Sequence, residues 1–215
     1  MGINERGIRE MKAILISIRP QWVAKILNGE KTIEIRKRFP SDYVGWVYIY
    51  CTKDTKYKYG GLAHFGYGGN YCVHLNNNKM VDDFMDFKLG NLNDVSWTIQ
   101  NDSKERVVAR FWCDKVEELM FLEGLYDQLD RGYCTDTLDN AQVEIKSCVP
   151  QEKIIDYLYS KGKGYAIHIT NLEIFDKPKY LCDFSKPYEK EFEGDTLREH
   201  LLSRAPQSWC YVEVD

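Results

Sequence analysis

The spacing of the hydrophobic side chains changes between residues 14 and 40, and this change constrains the fold more than any other feature of the sequence. Residues 14–18 are rich in isoleucine and leucine and predict a strand buried on at least one side. Pro20 suits a first helical turn, and the next apolar residues recur at helical spacing until Gly29, a typical helix-ending residue. From Lys31 onward, apolar and polar side chains alternate, and this two-residue repeat predicts a strand. A strand, an amphipathic helix, a glycine turn and a second strand are therefore expected in this order.

The second strand places its apolar and polar side chains on opposite faces. Ile33 and Ile35 share one face, and the other face carries Thr32, Glu34 and Arg36. This polar row is either the solvated face of an edge strand or a binding site. As a site, Lys31 and Arg36 could hold a phosphate or a nucleobase edge, while Glu34 accepts a hydrogen bond from an exocyclic amine.

Length and charge limit the class of protein. A chain of 215 residues with 44% hydrophobic content is expected to form a single domain over residues 11–215, after a disordered lead at residues 1–10. A net charge of −4 argues against gripping long duplex nucleic acid, for which a basic surface is expected. A local basic patch is still predicted, formed by Arg19, Lys25, Lys31, Arg36, Lys37 and Arg38.

Cysteine usage indicates a reducing compartment. The seven cysteines are odd in number, widely spaced and without a C-x-x-C pair, so neither a disulfide framework nor a zinc ribbon is indicated. No apolar run approaches the length of a membrane-spanning helix. We therefore expect a cytoplasmic protein with no membrane partner, no metal and no cofactor.

Residues 53–105 differ in composition from the rest and predict an insertion with little strand character. Their aromatic side chains could stack on nucleobases or simply anchor the insertion to the main body; they are Tyr57, Tyr59, Phe65, Tyr67 and Tyr71. The remaining segments predict strands at 45–52, 106–119, 164–174 and 205–214, a helix at 147–160, and a helix or turn at 119–141.

These elements predict an α+β fold. We expect a small, mostly antiparallel barrel with a helix at its mouth and further helices at its periphery, and a last strand that pairs with the first. His168 lies on the polar face of its strand and is either a satisfied structural residue or part of a site. Glu117 and Glu118 follow another strand, where a carboxylate could face the same cleft or simply be solvated.

The residues of the glycine turn and the second strand resemble a known signature. Gly29, Lys31, Thr32, Glu34 and Arg36 are similar to the G-x-K-T-x-E-x-R pattern of the ASCH domain, the family named after activating signal cointegrator 1. The resemblance extends to Ser17, Arg19 and Pro20 and to strands at 107–113 and 164–169. Residues 148–214 resemble a subgroup of bacterial and viral ASCH proteins. The resemblance implies a PUA-like barrel.

For function, the resemblance implies a cleft beside the signature that binds RNA or a modified nucleoside. A single-stranded RNA or nucleoside ligand is then expected to contact Ser17, Arg19, Lys31, Thr32, Glu34, Arg36 and His168. The alternative is an enzyme similar to the small family members that hydrolyse the acetyl amide of N4-acetylcytidine, with Lys31 and Glu34 as candidate catalytic residues. Those enzymes carry a threonine three positions after the lysine, where this chain has Glu34. Binding is therefore predicted ahead of catalysis.

Overall fold

The computed structural model describes residues 11–53, 59–65, 71–75, 97–100, 105–123, 131–159, 162–187 and 201–214. The lead predicted at residues 1–10 lies outside them. The helices are α1 (Pro20–Leu27), α2 (Asn140–Ser147) and α3 (Gln151–Leu158). The strands are β1 (Met11–Ile18), β2 (Ile33–Arg36), β3 (Gly45–Cys51), β4 (Tyr59–Phe65), β5 (Tyr71–Leu75), β6 (Trp97–Gln100), β7 (Arg106–Cys113), β8 (Val116–Leu122), β9 (Gly132–Cys134), β10 (Lys163–His168), β11 (Thr170–Lys179) and β12 (Trp209–Val214).

The largest sheet has five strands in the order β11, β7, β3, β1, β12. Strands β1 and β3 are parallel, and the other neighbours are antiparallel. Strand β3 lies at the centre of this sheet, and every residue from Val47 to Cys51 is buried. The predicted pairing of the last strand with the first is confirmed, from Met11 opposite Val214 to Ile16 opposite Trp209.

The second sheet has four antiparallel strands in the order β2, β10, β8, β9. Only Ile169 separates β10 from β11, so one nearly continuous run passes from this sheet into the five-stranded one. The result is a half-barrel, because β11 and β12 end the strand order of the larger sheet instead of pairing with each other. The predicted α+β, mostly antiparallel architecture is confirmed.

The helix or turn predicted for residues 119–141 is wrong, because this segment contributes to β8 and β9. In β8, the inward positions hold Glu117 and Leu119, while Glu118 and Met120 face solvent. Because the charged residue Glu117 occupies an inward position, the sequence of β8 does not show the usual alternation of apolar and polar residues. Helix α2 follows, and Asp139 begins it with a reciprocal capping pair to Gln142.

The insertion contains more strand than its composition predicted. Strands β4, β5 and β6 form a separate three-stranded sheet. The chain leaves β3 and returns to β7, its direct neighbour, and the backbone N–H of Glu105 donates to the carbonyl of Cys51 at 2.9 Å. Strands β4 and β5 pass close to α1. The aromatic side chains proposed for stacking lie outside the described side chains.

Helix α1 brings the signature segment against the core. It buries Val23, Ala24, Ile26 and Leu27 in a cluster with β1, β3 and β7. Gly29 has the predicted left-handed conformation, with φ of +75°. The backbone N–H of Lys31 then donates to the carbonyl of Lys25 at 3.1 Å, so the chain folds back beside the helix it has just left.

Within the described part of the chain, none of the helices has the length and apolar character needed to cross a membrane.

Candidate ligand-binding site

A cleft of about 740 Å³ opens beside the signature segment. It lies between α1, β2, α3 and the segment that precedes β12. Its lining is positively biased although the protein carries a net negative charge, because five cationic side chains outnumber two carboxylates. The cationic residues are Arg19, Lys31, Arg36, Lys53 and Lys153, and the acidic residues are Glu34 and Glu105.

The floor of the cleft holds a buried trio of charges. One carboxylate oxygen of Glu34 lies 3.2 Å from Lys31 Nζ, and the other lies 2.9 Å from an Arg36 guanidinium nitrogen. All three residues are buried. Each carboxylate oxygen of Glu34 is paired with a different cation and keeps a lone pair for a further donor.

Lys31 is almost completely enclosed, with 2% of its surface exposed. Its ammonium donates to the carbonyl of Ser147 at 2.7 Å and lies 5.5 Å from the centre of the Trp22 ring. Burial lowers the pKa of Lys31 below its ordinary value, although the Glu34 carboxylate raises it in part. These contacts hold the Lys31 ammonium in place beside Glu34.

Arg36 links the floor to β1 and to the segment before β12. It donates to the carbonyl of Ser17 at 2.6 Å. The Ser17 hydroxyl in turn donates to the carbonyl of Pro206 at 2.6 Å, so it connects β1 to the segment before β12 at the wall of the cleft. The Arg36 Nε atom is buried without an acceptor among the described residues.

Aromatic rings and exposed cations surround the opening. Trp22 and Tyr157 line the cleft from α1 and α3, and Tyr50 lines it from β3. Tyr157 is 42% exposed. The exposed cations around these rings are Arg19, Lys53 and Lys153. Rings suited to stacking thus lie beside cations suited to phosphate.

Five of the seven residues predicted for the site line this cleft: Ser17, Arg19, Lys31, Glu34 and Arg36. Thr32 does not. The sequence placed Thr32 on one face with Glu34, but β2 begins only at Ile33. Before it, the backbone of Thr32 bonds to Lys146 and Ile169, so the strict alternation does not extend back to this residue.

His168 also lies outside the cleft lining and belongs to a second polar cluster. Its Nε2 atom lies 2.5 Å from the buried carboxylate of Glu117. The same carboxylate accepts hydrogen bonds from Thr137 at 2.6 Å and Thr135 at 3.1 Å, and Lys115 lies 3.0 Å away. Glu118, the other acid considered from the sequence, is exposed and pairs with Lys163 at 3.3 Å.

Together, hydrogen bonds affect the pKa of Glu117 more than burial does. Burial raises the pKa of this carboxyl group, but donors from Thr137, Lys115, His168 and Thr135 outweigh burial and lower the pKa to about 2. The cluster joins β8, β10 and the loop after β9. It is fully satisfied by its own neighbours, which is typical of a structural network.

Sequence reasoning missed the contribution of α3. Lys153 and Tyr157 line the cleft four residues apart on this helix, so they lie on one face. The helical spacing of Lys153 and Tyr157, next to the buried Ile154 and Leu158, was the sequence signal that could have placed both on one face of α3. Among the described residues, no three His, Cys, Asp or Glu side chains lie together as a metal site requires.

Neither a protein-family model nor a curated protein matches the chain. The chain is similar to solved structures of ASCH proteins. A serine-to-alanine mutant of the ASCH protein from Zymomonas mobilis is 13% identical with a TM-score of 0.47, covering 95% of this chain and 90% of that one. The ASCH structure from Zymomonas mobilis itself is 13% identical with a TM-score of 0.42, covering 79% and 74%.

The charge trio predicts a specific stability effect. Replacing Lys31 by Met keeps most of the buried stem but removes the ammonium from Glu34 and from the Ser147 carbonyl. We expect the free energy of unfolding at pH 7 to fall by about 3 kcal/mol in urea titrations. Lys163→Met, which removes an exposed ion pair, is the matched control and should leave the free energy of unfolding nearly unchanged. Equal small losses in both variants would contradict the positioning role of Lys31.

The Glu117 cluster predicts a pH dependence. Because the folded-state pKa of about 2 lies below the ordinary value of 4.5, stability from this carboxylate is complete above about pH 4.5 and is lost as the pH falls toward 2. Urea titrations from pH 6 to pH 3 should therefore show a loss of stability that Glu117→Gln reduces. Glu118→Gln, at the exposed neighbour, should leave the pH profile unchanged. An unaltered profile in the Glu117 variant would refute the assignment.

Proposed function

We propose that this protein binds single-stranded RNA or a modified nucleoside by seating one nucleobase in the cleft beside Lys31, Glu34 and Arg36. The observation that carries the proposal is the Glu34 carboxylate, held between two cations at the floor of a cleft that is otherwise cationic and aromatic. Cytoplasmic RNA is the expected source of such a ligand, and the cytoplasmic location stays a prediction.

The floor suits the edge of a base. Lys31 and Arg36 already neutralise Glu34, and its remaining lone pairs accept from an exocyclic amine such as N4 of cytosine. The pairing of a carboxylate with a base amine discriminates against a base that offers a carbonyl at the same position, because two acceptors would then face each other. Cytidine is therefore expected to bind better than uridine.

The opening suits the rest of the nucleotide. Tyr157 and Trp22 offer ring faces for stacking, which contributes about 1–3 kcal/mol per base on single-stranded nucleic acid. Arg19, Lys53 and Lys153 lie where a phosphate leaves the cleft. With so few cations, the affinity is expected to depend only modestly on salt.

Hydrolysis of a modified nucleoside such as N4-acetylcytidine is the alternative. It would require Lys31 or Glu34 to act on a substrate. The enclosure of Lys31 favours binding, because an ammonium that is 2% exposed and already bonded to Ser147 and Glu34 is not presented to a substrate. Glu34 retains access to the cleft and is the residue through which any chemistry would proceed.

Calorimetric titration with cytidine and uridine tests the proposal. The wild type should bind cytidine about tenfold more tightly than uridine, and Glu34→Gln should remove this preference because an amide both donates and accepts. Tyr157→Ala should weaken cytidine binding about tenfold through loss of stacking. Tyr159→Ala is the matched control, because Tyr159 is 77% exposed and lies outside the cleft lining.

The same titrations separate the two functions. Equal effects of the two tyrosine variants, or no binding of either nucleoside at high protein concentration, would overturn the proposal. Release of acetate from N4-acetylcytidine by the wild type, abolished in Glu34→Gln, would instead establish the hydrolase and make the carboxylate its base.

A further inference from the structure

A second cleft, of about 480 Å³, lies next to the first. Its lining consists of three cationic residues, four aromatic residues and Pro40, and it includes no carboxylate. The cations are Lys37, Arg38 and Lys163, and the rings are those of Phe39, Tyr165, Trp209 and Tyr211. On a protein with a net charge of −4, this local excess of cations and aromatic rings favours an anionic ligand that carries planar rings.

The rings form a fixed platform. Trp209 donates its indole N–H to the carbonyl of Arg38 at 2.7 Å, which holds the ring in one orientation. The Trp209 ring packs edge-on against Phe39 and against Tyr211, with both centroid distances at 5.5 Å. Phe39 is buried below, whereas Tyr211 is 38% exposed. A ring face for stacking is therefore available beside the cations.

The two clefts are lined by neighbouring residues of the same two segments. Arg36 lines the first cleft and Lys37, the next residue, lines the second, while Pro206 and Gln207 line the first and Trp209 the second. Lys37 also places its ammonium 5.0 Å from the ring centre of Tyr157, which lines the first cleft. One ligand that leaves the first cleft past Tyr157 therefore meets Lys37 and then the second platform.

We infer that the second cleft binds the nucleotide that flanks the base seated beside Glu34, so that the protein's ligand is a single-stranded RNA of at least two nucleotides and not a free nucleoside. The inference rests on the proposed function of the first cleft. Lys37, Arg38 and Lys163 contact the connecting phosphates, and Tyr211 stacks on the flanking base. Lys163 reaches this position while paired with the exposed Glu118.

An acidic peptide is the other polyanion that three cations attract. The platform favours nucleic acid over such a peptide, because it combines rings with cations, as a nucleotide combines a base with a phosphate. Carboxylate side chains would use the cations but leave the face of Tyr211 without a partner.

Binding of fluorescein-labelled tetracytidylate at several salt concentrations tests the inference, with cytidine as the probe of the first cleft. The wild type should bind the tetranucleotide at least tenfold more tightly than cytidine. Arg38→Gln combined with Lys163→Gln should weaken tetranucleotide binding on the order of tenfold and lower the salt slope by about 1.4, which corresponds to two phosphate contacts. Cytidine binding should not change.

Two further variants sharpen the comparison. Tyr211→Ala should weaken tetranucleotide binding about tenfold while cytidine binding is retained. Lys12→Gln combined with Arg131→Gln makes the same charge change at exposed residues that line neither cleft, and should leave the salt slope close to that of the wild type.

The outcomes separate the inference from the proposed function. If Glu34→Gln alters cytidine binding but the second-cleft variants behave like the control pair, the second cleft is refuted and the first cleft stands. If the second-cleft variants weaken the tetranucleotide while cytidine does not bind, the second cleft is supported and the nucleobase site at Glu34 fails. Equal competition by a polyglutamate peptide would overturn the assignment to RNA.

Discussion

The ion pairs between Glu34 and its two cations are the interaction on which this part of the structure depends. Taking three charges out of water is costly, and this cost is offset by close ion-pair geometry and by further hydrogen bonds from the same groups. Here both carboxylate oxygens are paired, Lys31 reaches the Ser147 carbonyl, and Arg36 reaches the Ser17 carbonyl. The trio therefore ties β2 to the end of α2 and to β1, and the cleft takes its shape from these connections.

This arrangement separates two roles that the sequence could not separate. Lys31 and Glu34 are neighbours in the signature, and either could have been the residue that meets a ligand. Their contacts differ, because Lys31 donates to the Ser147 carbonyl and lies against Trp22, whereas the Glu34 carboxylate lies between two cations of the cleft lining. We therefore propose that Lys31 positions Glu34 and that Glu34 contacts the ligand.

The sequence predicted the elements around the signature well, because local signals agree there. Pro20, the helical spacing of α1 and the left-handed Gly29 each favour the same structure, and the alternation correctly placed Glu34 and Arg36 together. The errors arose where tertiary contacts override local pattern. Glu117 occupies an inward strand position because Thr135, Thr137 and His168 satisfy it, and those partners come from segments 18 to 51 residues away. No local repeat reveals such a partner.

A crystal structure of the protein with cytidine 5′-monophosphate tests the central claim most directly. The account predicts the base in the cleft beside Tyr157 or Trp22, with its exocyclic amine about 3 Å from a Glu34 carboxylate oxygen and its phosphate toward Arg19, Lys53 or Lys153. A nucleotide bound elsewhere on the surface, with the cleft beside Glu34 filled only by water, would contradict it.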